Sequence, residues 1–460
     1  VRAQEYNRYG YDEMKKKKGE ITAFLSLIFV LLVSFILAIS QSAQIQTTKN
    51  LKRIAVDNAL FSVFGEYHKE LLEEYKVFAF DMTYGTGQFE EQQIINRMSH
   101  YGSMGIEQTI TDIQFLTDNN GQAFREQMLE YMETQTGMGV LQDVTGLCAA
   151  WQEQKIQGEE VSEQLDQVLS HGEEMLPEEN TGILEIRKTG ILSLVLPERF
   201  ELSGKYVGQE KLVSCRSRHA GRGTFPARSR VNGQAEKLLF EQYILKMFSS
   251  AVEQKSETRN LDYEIEYLIS GKESDAENLK DVVNQMLLVR MGLNYAHLAI
   301  DSGKQGEAET MAAALAAVSL RPEAKDALKQ LILLVWCFGE SVVDLRTLLA
   351  GRRAALVKNS QNWQLPLSGV FTFWGSDAGY EGADAEEGLN YGQYLQILLH
   401  LKDETDLNMR VLDRLEQNLR FEKGLEYFRA DACVTKMKLQ NKADMWSGYS
   451  YTFQAYFGYL

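Results

Sequence analysis

Five carboxylates fall within one short glycine-containing loop: Asp377, Glu381, Asp384, Glu386 and Glu387. Hard cations such as calcium take oxygen ligands of this kind, but the spacing of a calcium-binding helix–loop–helix is missing. A solvated acidic turn is expected, and no metal is assigned. Arg290 and His297 carry different chemistry. Both fall on the apolar stripe of a helix expected over 276–301, alongside Leu279, Val283, Met286, Leu293 and Ile300. A buried guanidinium keeps its proton and so requires an acceptor. Glu340 and Asp344, one turn apart just past the apolar run LILLVWCFG at 331–339, are the expected acceptors. The pattern reads as a buried ion pair fixing helix register, not as a catalytic pair.

The other reactive residues form no motif. Cys148, Cys215, Cys337 and Cys433 make no C-x-x-C pair, and buried free thiols are expected, with Cys337 in an apolar helix and Cys433 on an inward strand face. The six histidines form no H-x-x-x-H or H-E-x-x-H, and neither G-x-S-x-G nor G-x-x-x-x-G-K-[ST] occurs. No catalytic, cofactor-binding or metal-ligating residue is named, no cofactor is implied, and an enzyme is not expected. The segment CRSRHAGRGTFPARSR at 215–230 gathers Arg216, Arg218, His219, Arg222, Arg228 and Arg230 without helical or strand periodicity, and reads as a solvated loop. The chain has 48 Lys+Arg against 64 Asp+Glu, a net charge of −16, so a nucleic-acid partner is not expected.

The most informative element is the one that must position everything else. Lys15 to Lys18 precede ITAFLSLIFVLLVSFILAIS at 21–40, which contains no charge, proline or glycine. Twenty helical residues span about 30 Å, the thickness of a hydrocarbon core. Basic flanks stay cytoplasmic, which predicts the first 20 residues inside and residues 41–460 outside. A cleaved signal peptide is the rival, with Ala38-Ile39-Ser40 as a possible cleavage site, but its apolar core is normally about 7–15 residues long. Of the charges above, six cations (Arg2, Arg8, Lys15 to Lys18) and four anions (Glu5, Asp12, Glu13, Glu20) precede residue 41; the outer part keeps 42 basic and 60 acidic groups, a net −18. Leu60, Phe64, Tyr67, Leu71 and Tyr75 then recur at steps of three and four, so the span is expected to continue as an amphipathic helix over 43–76.

A basic run, Gly19 and a long apolar helix running into an amphipathic one resemble the N-terminus of a type IV pilin or pseudopilin. More closely, KGEITAFLSLIFVLLVSFILA with EYHKELLEEYKVFAFD, LDYEIEYLISGKESDAENL, LVWCFGESVVDLRTLLAG and LNYGQYLQILLHL resembles an uncharacterised family from Gram-positive bacteria, of TadE-like single-pass membrane proteins associated with Tad-type pilus or secretion assembly. Pilin signals place a glutamate at the fifth position after the glycine, where this chain has Phe24. The resemblance therefore implies a static anchored subunit more than a filament-forming one. Its partners would be the lipid bilayer and other assembly proteins or further copies of the chain.

The outer chain predicts an α+β fold, mostly helical, with short antiparallel strands. A short helix is expected at 88–101, a strand at 106–116, a turn at Asn119-Asn120-Gly121 and helix from there to about 170, broken near Gly137 and Gly139. Residues 172–232 read as a flexible or irregular connection between regions 41–171 and 233–460, with one buried strand at 191–197. Beyond it, a helix is expected at 234–256. Residues 261–269 alternate Tyr263, Ile265, Tyr267 and Ile269 with Asp262, Glu264 and Glu266, and read as a strand with one wet face. Helices follow at 276–301, 305–319, from Pro322 to Leu349, at 389–402 and at 404–421. A C-terminal hairpin points Cys433, Thr435, Met437 and Leu439 one way and lines up Tyr449, Tyr451, Phe453, Ala455, Phe457 and Tyr459 against an apolar face. The function expected is a membrane-anchored, extracytoplasmic structural or accessory subunit. The alternative is a surface-anchored ligand-binding or sensing module, and an anchored carboxylate-dependent hydrolase ranks third.

Overall fold

A computed structural model describes residues 2–135, 144–171, 176, 189–226, 233–256, 258–370, 380–445 and 448–459, with side chains described from residue 19. Helix α1 (Arg2–Phe64) runs unbroken for 63 residues. Its apolar side chains stand exposed all round through the 21–39 stretch, Phe29 at 67%. Near its end one face closes, and Val56, Ala59, Leu60, Val63 and Phe64 are buried.

The helix stops where its own hydrogen bonds are replaced by tertiary ones. In a continuing helix the Phe64 carbonyl would accept from the His68 N–H. Instead the Tyr459 hydroxyl donates to the Phe64 carbonyl, and the His68 N–H donates to the Ala79 carbonyl at 2.8 Å. Helix α2 (Lys69–Tyr75) starts afresh, with His68 Nδ1 accepting from the Leu71 N–H. The single amphipathic helix expected over 43–76 is thus two helices. Leu60, Phe64, Leu71 and Tyr75 are buried as the stripe requires, while Tyr67, at the break, is exposed.

The sheet is antiparallel, with β3 (Cys433–Asp444) as its hub. Strand β2 (Ile106–Phe115) pairs along one edge of β3; β1 (Phe80–Asp81) and then β4 (Ser450–Gly458) pair along the other. One face of this sheet closes on the end of α1 in a separate small core containing Ile110, Ile113, Val434, Met437, Leu439, Phe453 and Ala455. The short helix α3 (Glu91–Met98) adds Ile94 and Met98 to it. The hairpin and the 106–116 strand are as the alternation predicts. The aromatic row holds too, except at its outer end, where Tyr449 is 71% exposed.

The larger core is helical. It takes in α4 (Asp118–Glu133), α5 (Val144–Ser170), α6 (Ile191–Val195), α7 (Gly233–Met247), α8 (Glu264–Ser270), α9 (Asp275–Ile300), α10 (Ser302–Val318), α11 (Lys325–Leu349), α12 (Tyr391–His400) and α13 (Glu404–Glu422). Asn119, Asn120 and Gly121 have φ of 49°, 56° and 78°, the expected turn. The break expected at Gly137 and Gly139 lies outside the described residues. Ser274 caps α9 by accepting from the Glu277 N–H. The 331–339 run is buried on every side at the centre of α11.

Three expected elements are corrected. Residues 261–269 are not a strand; they lead through Tyr263 into α8, which begins at Glu264. Both sides of the alternation are buried, and Glu264 and Glu266 are fully enclosed. The acids read as a wet face instead accept buried N–H groups, Ser249 to Glu264 and Ala251 to Glu266, both at 2.9 Å. The same bonds end the helix expected over 234–256 at Met247, because the chain after it turns to reach these carboxylates. Residues 191–197 form α6 and not a strand: the Leu194 carbonyl is taken by Arg346 Nε at 2.7 Å, with no neighbouring strand among the described residues. The described parts of the 172–232 connection, 176 and 189–226, are largely irregular but packed, burying Leu176, Val195, Val207, Leu212 and Val213.

Candidate functional site

The buried charges were the first candidates for chemistry, and α9 and α11 bring them together. Arg290 is fully buried. Its Nη2 and Nε donate to Asp344 Oδ2 at 2.6 and 2.9 Å, and its Nη1 donates to the Ala355 carbonyl at 2.8 Å. Asn294, one turn along α9, donates to Asp344 at 3.1 Å and to the Ser341 hydroxyl at 2.9 Å. Glu340, the other expected acceptor, does not meet Arg290. It takes Lys358 Nζ and the N–H groups of Gln364 and Leu365, while Lys358 also donates to Asp344 Oδ1 at 2.7 Å. Two cations and two carboxylates cancel, and each has several partners. Burial alone would raise the Asp344 carboxyl, but Arg290 and Lys358 overcome it and hold Asp344 below its ordinary value. Burial pushes Glu340 up. Both carboxylates are almost wholly sealed from solvent, so the arrangement ties α9, α11 and the 355–365 loop together and offers no face to a substrate.

His297 does not join this cluster. Its Nε2 lies 3.4 Å from Asp301 Oδ2 and its ring stands against Trp363. The basic segment is a largely exposed loop, as expected, but two of its arginines pin it to the body. Arg216 makes bonds of 2.8 Å to Glu416 and 2.7 Å to Asp431, both fully buried acids, and Arg222 pairs with Glu91. Arg228 and Arg230 lie outside the described residues. In the acidic loop, Asp384 pairs with Arg353 at 2.6 Å and Glu381 with Arg352 at 3.3 Å, while Asp377 lies outside the described residues. Among the described residues no group of three or more His, Cys, Asp or Glu is placed to hold a metal ion. All four cysteines are free: Cys148, Cys337 and Cys433 are buried, and Cys215 is exposed.

Sequence reasoning missed Lys358, which lies in a loop without periodicity. It also missed the buried polar face of α13, where Asp413, Arg414, Glu416 and Asn418 are enclosed. Asp413 accepts from the Tyr267 hydroxyl and Ser214, and Asn418 reaches Tyr75. No composition signal separates these residues from a solvated helix face.

Helix α1 presents a long run of exposed apolar side chains. It is the one described helix long and apolar enough to cross a membrane, and its apolar window is wholly unburied. Above that window its inner face is covered by the sheet. Its outer face carries Leu51, Ile54 and Phe61, 61%, 54% and 65% exposed. With Asn58 these positions are spaced three, four and three, which places them along one seam at the heptad period.

A family model described as "Family of unknown function (DUF5702)" matches residues 171–445, more than half of the chain, and the chain belongs to that family. No curated protein and no solved structure matches it.

Proposed function

We propose that this protein is a membrane-anchored structural subunit, with its body outside the cytoplasm, that works by helix packing and partner binding. In the finer form of the reading it is a pseudopilin-like accessory of a Tad-type pilus or secretion assembly; that form rests on the resemblance of residues 18–38 and the segments after them. Residues 21–40 cross the bilayer, with Lys15 to Lys18 on the cytoplasmic side.

The observation that carries the reading is the uncovered outer face of α1. A helix that only tethered the body would gain nothing from Leu51 and Ile54 in water, nor from the side of Phe61 turned away from Phe457. Covering each such side chain is worth about 1.5–3 kcal/mol, and a second helix laid along the seam covers all three. Asn58 at a seam position favours one register of such a pair. The test is a photocrosslinking residue at Ile54 in the native cell. A discrete adduct with an assembly protein or a second copy, lost in Leu51→Asp, is expected. Adducts with lipid only, or the same background as from Leu320, overturn the reading.

A second reading, a surface-anchored ligand-binding module, is favoured by a polar groove of about 530 Å³ lined by Asn119, Asn120, Arg218 and His219. Arg218 makes no ion pair within 4 Å among the described residues; its Nη1 donates to Met409 Sδ at 3.2 Å and its charge acts on Asp118, which lines the same groove. Retention of the protein on immobilised anionic polymer, lost in Arg218→Gln, separates this reading from the first.

A further inference from the structure

Strand β4 lies along α1. Phe457 meets Phe61 and Phe64 with ring centroids 5.8 and 4.7 Å apart. Six residues down the strand, Tyr451 lies under Lys49 Nζ at 4.9 Å and Arg53 Cζ at 5.7 Å. Those six residues cover about 20 Å of strand, and the helix positions they meet are about 17 Å apart. Strand and helix therefore run side by side, and the hairpin turn points down toward the apolar window of α1. The turn is closed by Met445 N–H donating to the Tyr449 carbonyl at 2.8 Å and by Gly448 at φ 78°. Tyr449 lies two residues below Tyr451, about 7 Å, level with helix positions 46–47. That is about 10 Å above Ser40, and the headgroup layer occupies about 5–8 Å outside the hydrocarbon. The tyrosine ring is within a side chain's length of that layer.

The chemistry at this height fits lipid. Tyr449 is 71% exposed, although it belongs to a row whose Phe453 and Ala455 are buried. Lys49 and Arg53 lie over the Tyr451 ring, Lys52 shares their turn of α1, and none of the three makes an ion pair among the described residues. Aromatic rings with a polar tip concentrate at the membrane–water interface, and cations at that level attract anionic headgroups. We infer that the turn end of the β3–β4 hairpin is a second membrane contact: Tyr449 settles at the outer edge of the headgroup layer of the bilayer that α1 crosses, and Lys49, Lys52 and Arg53, about 6–12 Å above that layer, attract anionic phospholipid headgroups across about a Debye length. The inference rests on the reading of residues 21–40 as a span. The contact sets the body upright on α1, because a rod held at one point tilts and a rod held at two does not.

The test uses the full chain in a Cys215→Ser background, reconstituted into vesicles of phosphatidylcholine with or without phosphatidylglycerol. An environment-sensitive fluorophore is placed by Tyr449→Cys, with Leu31→Cys in the apolar window and Leu320→Cys on the exposed body as references. The inference expects headgroup-level spin-labelled lipid to quench position 449 at least fivefold more than position 320, and more strongly with phosphatidylglycerol. Lys49→Gln, Lys52→Gln and Arg53→Gln together abolish that lipid preference. Quenching at position 31 with position 449 as aqueous as position 320 overturns the inference and leaves the span standing. A lipid preference unchanged in the triple variant overturns the role of the cations. No quenching at position 31 by acyl-chain spin-labelled lipid, about 14 Å below Ser40, overturns the span and the inference with it.

Discussion

Arg290 Nη2 lies 2.6 Å from Asp344 Oδ2, and this ion pair, with the bonds of Asn294 beside it, joins α9 to α11 at the centre of the helical core. Arg290→Met leaves Asp344 and Lys358 in place with one cation missing from a sealed cluster. A loss of about 3–5 kcal/mol is expected, read as a shift of the urea unfolding midpoint. Arg290→Lys recovers only part, because one ammonium cannot supply the bonds to Asp344 and Ala355 together. The acid limb follows from the sign of the Asp344 shift. Its folded value is depressed, so its pairing contributes fully above the unfolded value of about 3.9 and is lost as pH falls through the folded value. Asp344→Asn flattens stability below about pH 4 relative to the parent; an unchanged acid limb contradicts the pairing.

Glu241 on α7 behaves in the opposite sense. It is fully buried, with His400 Nδ1 at 2.7 Å and Gln396 Nε2 at 3.4 Å, and burial raises its carboxyl to about 8. The unfolded chain releases this proton near pH 4.3, whereas the folded chain keeps it. Stability therefore falls as pH rises between those two values, at up to about 1.4 kcal/mol per unit. Glu241→Gln removes the slope. Thermal melts at pH 5, 6, 7 and 8 check this: the variant gains on the parent steadily from pH 5 to pH 8, and parallel curves contradict it.

Two glycines set how closely α5 and α9 cross. A Cβ at Gly158 would meet the Leu288 carbonyl oxygen at 1.7 Å, and one at Gly292 would meet the Gln154 carbonyl oxygen at 2.2 Å. Both obstacles are backbone, so the helices themselves must separate. Gly158→Ala and Gly292→Ala are each expected to cost at least about 1–3 kcal/mol, although alanine is the better helix former. A neutral or stabilising result in chemical denaturation shows that the crossing is looser than described.

The outer seam of α1 makes a prediction of the opposite kind. Leu51→Ser and Ile54→Ser touch nothing in the body, so unfolding midpoints stay within about 0.5 kcal/mol of the parent, while crosslinking from Phe61 is lost. If stability and crosslinking fall together, the seam belongs to the fold and not to a partner.

Periodicity made much of this legible. The apolar 21–40 run, the β3–β4 alternation and the stripe holding Arg290 are local patterns, and a guanidinium on an apolar stripe has few options but a carboxylate. The strand expected at 261–269 failed because alternation was equated with a wet face. Glu264 and Glu266 are instead held by partners distant in sequence, Arg414, Asn418 and Tyr391. The break at Phe64 was equally hidden, since its cause is a hydroxyl nearly four hundred residues away. Long-range polar pairing leaves no trace in local spacing.

Cys215 is the exposed one among four free cysteines, and it lies on the body. That makes it a native reporter of which side of the membrane the body occupies. Intact cells treated with a membrane-impermeant maleimide should label the full chain at Cys215, with labelling abolished in Cys215→Ser and the labelled protein sedimenting with membranes. Labelling that appears only after lysis, or a labelled chain free of the membrane fraction, contradicts the anchored, outward-facing arrangement.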